Sequence, residues 1–67
     1  MPEKKELEVF VRDPRPYDGG LGRTRRKELI AAERYPAPVQ ISDRRWAWIE
    51  SELIAWQQER IAERDAD

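Results

Sequence analysis

The sequence predicts a small α+β domain in which a helix, a two-stranded hairpin and a second helix follow one another. A helical segment ends at the stiff corner Pro36-Ala37-Pro38. Two short alternating segments then flank the polar turn 42–45, and an amphipathic segment completes the chain. At 67 residues the chain is one domain at most. We expect residues 7–64 to form it, between disordered tails at 1–6 and 65–67.

The N-terminal third predicts little regular structure. Leu7, Val9 and Val11 alternate with other residues, a pattern compatible with a short strand that joins the hairpin. Residues 13–20 contain two prolines and two adjacent glycines. This segment therefore reads as a loop with room for at most one helical turn.

The first long helix is expected from about Arg23 to Arg34, with Thr24 as its N-cap. Leu29 and Ile30 supply its apolar side. Because a residue that precedes proline is pushed out of the helical region, the helix must stop before Pro36.

The hairpin and the last helix carry the expected core. The hairpin is predicted over roughly residues 39–48, with Val39 and Ile41 as the inward side chains of its first strand. The last helix is predicted from about residue 50 to 64, with acidic residues in its first turn, where the helix dipole favours them. The three tryptophans occupy the apolar phases of these elements and are expected in the core: Trp46, Trp48 and Trp56.

Charge is distributed unevenly along the chain. The net charge is −1, yet residues 12–45 hold nine basic and five acidic side chains, and residues 46–67 hold two basic and six acidic ones. A cationic segment of this kind is typical of proteins that bind nucleic acid. The alternative reading, a solvated helix face, stays open at this point.

Composition excludes several classes of function. The chain has no Cys and no His, which excludes disulfides, thiolate metal sites and Ser-His-Asp catalysis. Its acids are scattered over the helices without a nucleophile–base pair, so we expect no enzyme, no metal, no cofactor and no small-molecule substrate. No apolar run is long enough to span a membrane and no secretory signal is visible. The missing cysteines fit a reducing cytoplasm.

A family resemblance rests on motifs that align without a gap from Gly20 to Arg60. The chain resembles the excisionase/AlpA-type (MerR-like) group of small winged-helix regulators of phages and integrative elements. That group has the patterns G-L-S-R-S-T, G-R-F-P, P-V-x-L-G-x-R and W-x-x-x-E-[VIL]-x-x-W. The matching residues here are Gly20-Leu21-Gly22-Arg23-Thr24, Leu29-Ile30, Arg34-Tyr35-Pro36, Pro38-Val39-Gln40-Ile41, Arg44, Trp48, Glu52-Leu53 and Trp56.

Three departures from the group's pattern shape the expected fold. The place of the first helix holds the proline- and glycine-rich loop, Arg26 and Lys27 replace an apolar and an aromatic residue, and Ser42 replaces a glycine of the wing turn. Arg26 lies on the same helix side as Leu29 and Ile30, and an unpaired buried guanidinium is very costly. We therefore expect a winged helix with a degraded first helix, in which Arg26 reaches solvent, a phosphate or a carboxylate.

The resemblance implies a sequence-specific double-stranded DNA-binding protein of a bacterial host's cytoplasm. It would act as an excisionase, or recombination directionality factor, that binds and bends attachment-site DNA. Its implied partners are a tyrosine or serine integrase and neighbouring copies of itself. We expect the helix to enter the major groove and the wing to lie on the backbone or in the minor groove. The expected DNA contacts are Arg23, Thr24, Arg25, Arg26, Lys27, Ala31, Arg34, Arg44 and Arg45.

Two other functions remain open from the sequence. An AlpA-like transcriptional regulator would use the same fold on a promoter. A protein-interaction modulator would instead dock its acidic C-terminal helix on a partner.

Overall fold

The structure, a computed structural model, describes residues 7–66 and shows an α+β domain. This part of the chain forms three helices and a three-stranded antiparallel sheet, which confirms the predicted fold class. The expected tail at residues 1–6 lies outside the described residues, as does residue 67. The elements in chain order are β1 (Phe10–Val11), α1 (Arg15–Asp18), α2 (Arg23–Ala31), β2 (Val39–Ser42), β3 (Arg45–Ile49) and α3 (Glu50–Asp65).

The sheet has the order β1-β3-β2, so the N-terminal strand does join the hairpin. Phe10 pairs with Ile49 and Val11 with Trp48, both antiparallel. The strand is shorter than the alternation over residues 7–11 predicted, since only two residues pair. This pairing brings the segment that follows β1 next to α2 and to the wing, which is the hairpin of β2 and β3.

The register of the hairpin corrects the predicted core. Val39 pairs with Ala47, and because directly opposed residues share a sheet face, Val39 and Trp46 lie on opposite faces. Ala47 is fully buried, whereas Trp46 is 52% exposed. The expectation that Trp46 belongs to the core is therefore wrong. The face alone does not decide burial, because Trp48 shares the face of Trp46 and packs on Tyr35 nearer the base of the hairpin.

The wing carries a β-bulge near its tip. Gln40 pairs with Trp46 and Ser42 with Arg45, so Ile41 is an extra residue on β2. The two residues between the strands form the polar turn that the sequence predicts. A bulge bends a strand and increases its twist, so the wing tip is turned relative to the base of the hairpin.

Tyr35 is the centre of the small core. It is 5% exposed, and its ring lies 6.5 Å from that of Trp48, edge to face, and 5.0 Å from that of Trp56. The two indole N–H groups donate to the backbone at either side of Tyr35. Trp48 Nε1 donates to Pro36 O at 2.9 Å and Trp56 Nε1 to Arg34 O at 2.8 Å. Both tryptophans thereby fix the corner between helix and wing.

Helix α2 ends three residues earlier than predicted, in a Schellman motif. The amide of Glu33 donates to Ile30 O at 3.0 Å and that of Arg34 to Leu29 O at 2.8 Å. Glu33 adopts a left-handed conformation with φ of 61°. In the G-R-F-P pattern of the resembled group this position holds glycine, which takes that conformation without steric cost.

Replacing Glu33 with glycine should therefore stabilise the domain. We expect the Glu33→Gly variant to gain about 0.5 to 1 kcal/mol in the free energy of unfolding, since the left-handed strain exceeds the extra chain entropy of glycine. Urea denaturation followed by circular dichroism measures the change. Ala32→Gly is the matched control: its φ is −86°, so glycine relieves no strain there and should destabilise.

The last helix packs on the sheet and on the single turn of α1. Leu53 is fully buried. The Tyr17 hydroxyl donates to Glu50 Oε2 at 2.8 Å, and Gln57 Nε2 donates to the Tyr17 carbonyl at 3.2 Å. α1 therefore survives as one turn held against α3, in line with the degraded first helix that the sequence predicts.

Candidate nucleic-acid interface

Helix α2 presents most of the side chains that were expected to contact DNA. The helix begins at Arg23, with Gly22 as its N-cap and no side-chain cap hydrogen bond. The expectation that Thr24 is the N-cap is therefore wrong, and Thr24 is a first-turn residue. The exposed expected contacts on this helix are Arg23, Thr24, Arg25, Lys27 and Ala31.

Arg26 was expected to contact DNA, but its guanidinium is already hydrogen-bonded to groups inside the protein. Its Nε donates to Asp18 Oδ2 at 3.0 Å and its Nη2 to the Leu21 carbonyl at 2.8 Å. The guanidinium carbon also lies 5.9 Å from the centre of the Trp48 ring. The Arg26 side chain is only 11% exposed and that of Asp18 is fully buried. Of the three alternatives for Arg26, the structure shows the carboxylate.

Asp18 is the centre of this polar cluster. Its Oδ1 accepts from the amides of Gly20 and Leu21 at 3.0 and 3.1 Å, and its Oδ2 accepts from Tyr35 at 2.8 Å as well as from Arg26. Burial alone would raise the pKa of Asp18, but the hydrogen bonds from Tyr35, from the backbone and from Arg26 outweigh it, so this pKa is lowered. Burial and the same carboxylate raise the pKa of Tyr35. The cluster is thus an ionised anchor beneath α2.

An open groove runs between α2, the wing and the β1–α1 segment, and it is the main candidate surface. Its floor is apolar, formed by Pro14, Ile30, Ala31, Pro38 and Trp48. Its rim is cationic, with one acid among the rim residues. The rim residues are Arg12, Asp13, Arg15, Arg23, Arg26 and Lys27.

The rim's single acid is neutralised locally. Asp13 pairs with Arg15 at 2.9 Å, and these hydrogen bonds lower the pKa of Asp13 to about 2. Because Arg26 is compensated by Asp18, three cations of the rim are left to act on a ligand: Arg12, Arg23 and Lys27. The groove therefore attracts anions.

Two of the rim cations were missed by sequence reasoning. Arg12 follows β1 directly and Arg15 begins α1, and neither was among the expected DNA contacts. Pairing of β1 with β3 places both residues at the groove. The alternation at residues 7–11 could have revealed these two cations, because a third strand paired with the hairpin would place the residues that follow it beside the wing.

The wing tip carries the remaining expected cations. Arg44 lies in the turn and Arg45 begins β3, and both are exposed. Trp46 and Trp48 share the face that looks onto the groove, so strand alternation places Arg45 on the opposite face with Ala47. Neither Arg44 nor Arg45 lines the groove, so the structure does not bring the wing-tip cations together with the rim cations.

Arg34 and Arg25 stand apart from the groove. Arg34 lines a second depression, between the end of α2 and α3, together with Glu33, Glu52 and Glu59. The structure therefore does not bring Arg34 together with the other expected contacts. Arg25 is exposed and pairs with Glu28 at 3.2 Å, an exposed ion pair that can open at small cost.

Other kinds of site are not evident in residues 7–66. Over that range no group of three or more potential metal ligands is close enough to hold an ion. None of the helices found there has both the length and the apolar character that a membrane span requires.

The comparison with known families finds one match to a family model. Residues 19–61 match the model described as prophage CP4-57 regulatory protein (AlpA). The matched range covers α2, both wing strands and most of α3. No curated protein and no solved structure matches the chain.

Proposed function

Since the chain belongs to the AlpA family of prophage regulatory proteins, we propose that it binds double-stranded DNA through the cationic groove and the wing. We propose further that it acts as an excisionase, a recombination directionality factor that binds and bends attachment-site DNA so that an integrase can excise the element. It works as a binding protein in the cytoplasm of the bacterial host and catalyses no reaction itself.

One observation carries this proposal: α2 and the wing line a single groove whose rim is cationic. Arg23 and Lys27 of α2 line the same groove as Trp48 of the wing strand β3. A duplex is the extended polyanion that such a surface fits, since phosphates attract the rim while the helix and the wing occupy adjacent grooves.

The proposed contacts divide into positioning and specifying ones. The exposed residues Thr24 and Ala31 are short enough to approach base edges, with Lys27 and Arg23 reaching a guanine edge or a phosphate. Arg25 releases its exposed ion pair with Glu28 and binds a phosphate instead. At the wing, the cations of the tip follow the backbone or enter the minor groove, where arginine is electrostatically favoured. They are Arg44 and Arg45, while Arg34 is a candidate for a contact outside this surface.

Cooperation between copies is part of the proposal. The groove is cationic, whereas the exposed side of α3 carries Glu59, Glu63 and Asp65. Because the groove is occupied by DNA, a cation outside it, such as Arg34, can face the acidic helix of the next copy on neighbouring sites. Such a head-to-tail contact does not close on itself, and it raises affinity for arrays of sites over single sites. A tyrosine or serine integrase is the expected further partner.

The test is a gel-shift titration with DNA from the attachment region of the element that carries the gene, against scrambled DNA of equal composition. We expect specific binding in several steps that weakens steeply as salt is raised, because counterions are released from the phosphates. Integrase-catalysed excision in vitro should then depend on added protein, and circular-permutation probes should show a bend.

The outcomes separate the alternatives. Specific binding to the element's promoter region, with excision unaffected, would assign the transcriptional role that the family's description as a regulatory protein favours. Equal binding to both DNAs would leave only general attraction to phosphate. No shift at low salt would reject DNA binding and favour a protein modulator that docks α3.

A further inference from the structure

Trp46 differs from the other two tryptophans in that it does not pack in the core. Trp48 and Trp56 each donate an indole hydrogen bond to the backbone and pack on Tyr35. Trp46 is 52% exposed, and within residues 7–66 no hydrogen bond or aromatic contact engages its ring. An indole in this position has apolar area and an N–H donor available for a ligand.

The position of Trp46 relates it to the cationic groove. Trp46 and Trp48 are two residues apart on β3 and share a sheet face, and Trp48 lines the groove. Trp46 therefore lies on the groove side of the wing, about 7 Å further toward the tip. Arg44, in the turn, lies two positions before it in the chain.

The charge around Trp46 identifies the kind of ligand. An exposed aromatic side chain on the same strand face as Trp48, which lines a groove with a cationic rim, suits a polyanion that also offers apolar surface. Duplex DNA meets both requirements, because the walls of its minor groove are apolar deoxyribose and its floor presents acceptors at every base pair. The indole N–H can donate to such an acceptor while the ring covers the sugars.

We infer that Trp46 is a DNA-contacting residue of the wing, whose indole lies against the minor-groove wall beside the phosphates held by Arg44. This inference rests on the proposed DNA binding. The inference adds an apolar contact with DNA that the cationic residues do not supply. It comes from a residue that was expected in the core.

The contact has a distinctive signature in a salt titration. Trp46→Ala should weaken binding to the specific duplex about tenfold at every salt concentration. The slope of log affinity against log salt should stay unchanged, because no phosphate charge is involved. Arg44→Ala should reduce that slope. Ile54→Ala, a truncation of a residue 42% exposed on α3, is the matched control and should leave both quantities as in the wild type.

Fluorine NMR of the wild-type protein labelled with 5-fluorotryptophan gives a second readout, in which a variant serves only to assign the signals. Trp46→Phe assigns one of the three tryptophan signals, and we expect this signal to shift and lose its solvent-isotope effect when the specific duplex is added. An unmoved Trp46 signal at saturating DNA would overturn the inference while leaving DNA binding intact. So would a Trp46→Ala variant that binds single sites normally but loses cooperativity, which would assign Trp46 to a contact between copies. Absence of any binding by the wild type would instead reject the proposed function.

Discussion

Replacing Asp18 with leucine is expected to remove a large part of the protein's free energy of unfolding. The substitution leaves the Arg26 guanidinium, 11% exposed, and the Tyr35 hydroxyl without their shared acceptor. Removing one partner of a buried ion pair costs about 3 to 5 kcal/mol. A domain of this size has a total stability of only about 3 to 10 kcal/mol. Urea denaturation followed by tryptophan fluorescence and circular dichroism measures the loss.

Removing the whole cluster should restore stability. In the triple variant Asp18→Leu, Arg26→Leu, Tyr35→Phe no buried charge or hydroxyl is left unpaired. Only backbone groups of Gly20 and Leu21 lose a partner, so most of the lost stability should return. Two of these changes return this chain to the pattern of the resembled group, which has an apolar residue at the position of Arg26 and phenylalanine at that of Tyr35. A triple variant as unstable as the single one would contradict this account.

Arg25→Leu is the control that separates burial from charge. Arg25 neighbours Arg26 in α2, but its pair with Glu28 has side chains 63% and 60% exposed. Such pairs contribute little, so this variant should lose no more than about 0.5 kcal/mol.

The cluster also predicts a dependence on pH. The pKa of Asp18 is lowered in the folded state from its ordinary 3.8, so the folded protein holds the carboxylate ionised where the unfolded chain protonates it. Its contribution is complete above pH 3.8 and is lost as pH falls through the lowered value. Acid denaturation should therefore be steeper in the wild type than in the triple variant.

Much of the fold follows from the sequence because its boundaries depend on local chemistry. The polar turn separates two strands, and α3 begins at Glu50, as predicted. Helix α2 ends before Pro36, as predicted, but at a Schellman motif that the proline did not reveal. The register of the hairpin could not be predicted, because period two identifies two faces without saying which is buried. Trp46 was expected in the core because it shares the apolar phase of Trp48, but it lies beyond the contact with Tyr35 that holds Trp48 and is 52% exposed.

The part of the candidate site that lies on α2 was predicted from the sequence. The part that depends on contacts between distant segments was not. The phase of α2 correctly placed Arg26 on the inner side. Its partner could not be identified, because Asp18 reaches Arg26 through a reversal at Gly19 and Gly20, whose φ angles are 74° and 85°. Arg12 reaches the groove only because β1 pairs with β3.

Loss of the two free cations of α2 at the groove is expected to have the largest effect on DNA binding. The double variant Arg23→Ala, Lys27→Ala should lose about 100-fold in affinity for the specific duplex at moderate salt, since each side chain contributes a charge-assisted contact. If both contact phosphates, the slope of log affinity against log salt should fall by about 1.8. Fluorescence anisotropy with a labelled duplex across a salt series measures both quantities.

Arg64→Ala tests whether position rather than charge is responsible. Arg64 is 77% exposed at the far end of α3, where it pairs with Asp65. Removing its side chain lowers the net charge by one, as each groove substitution does. Neither the affinity nor the salt slope should change beyond the small effect of net charge. If Arg64→Ala weakens binding as much as one of the groove substitutions does, the protein attracts DNA by its overall charge alone. The groove between α2 and the wing would then not be the interface.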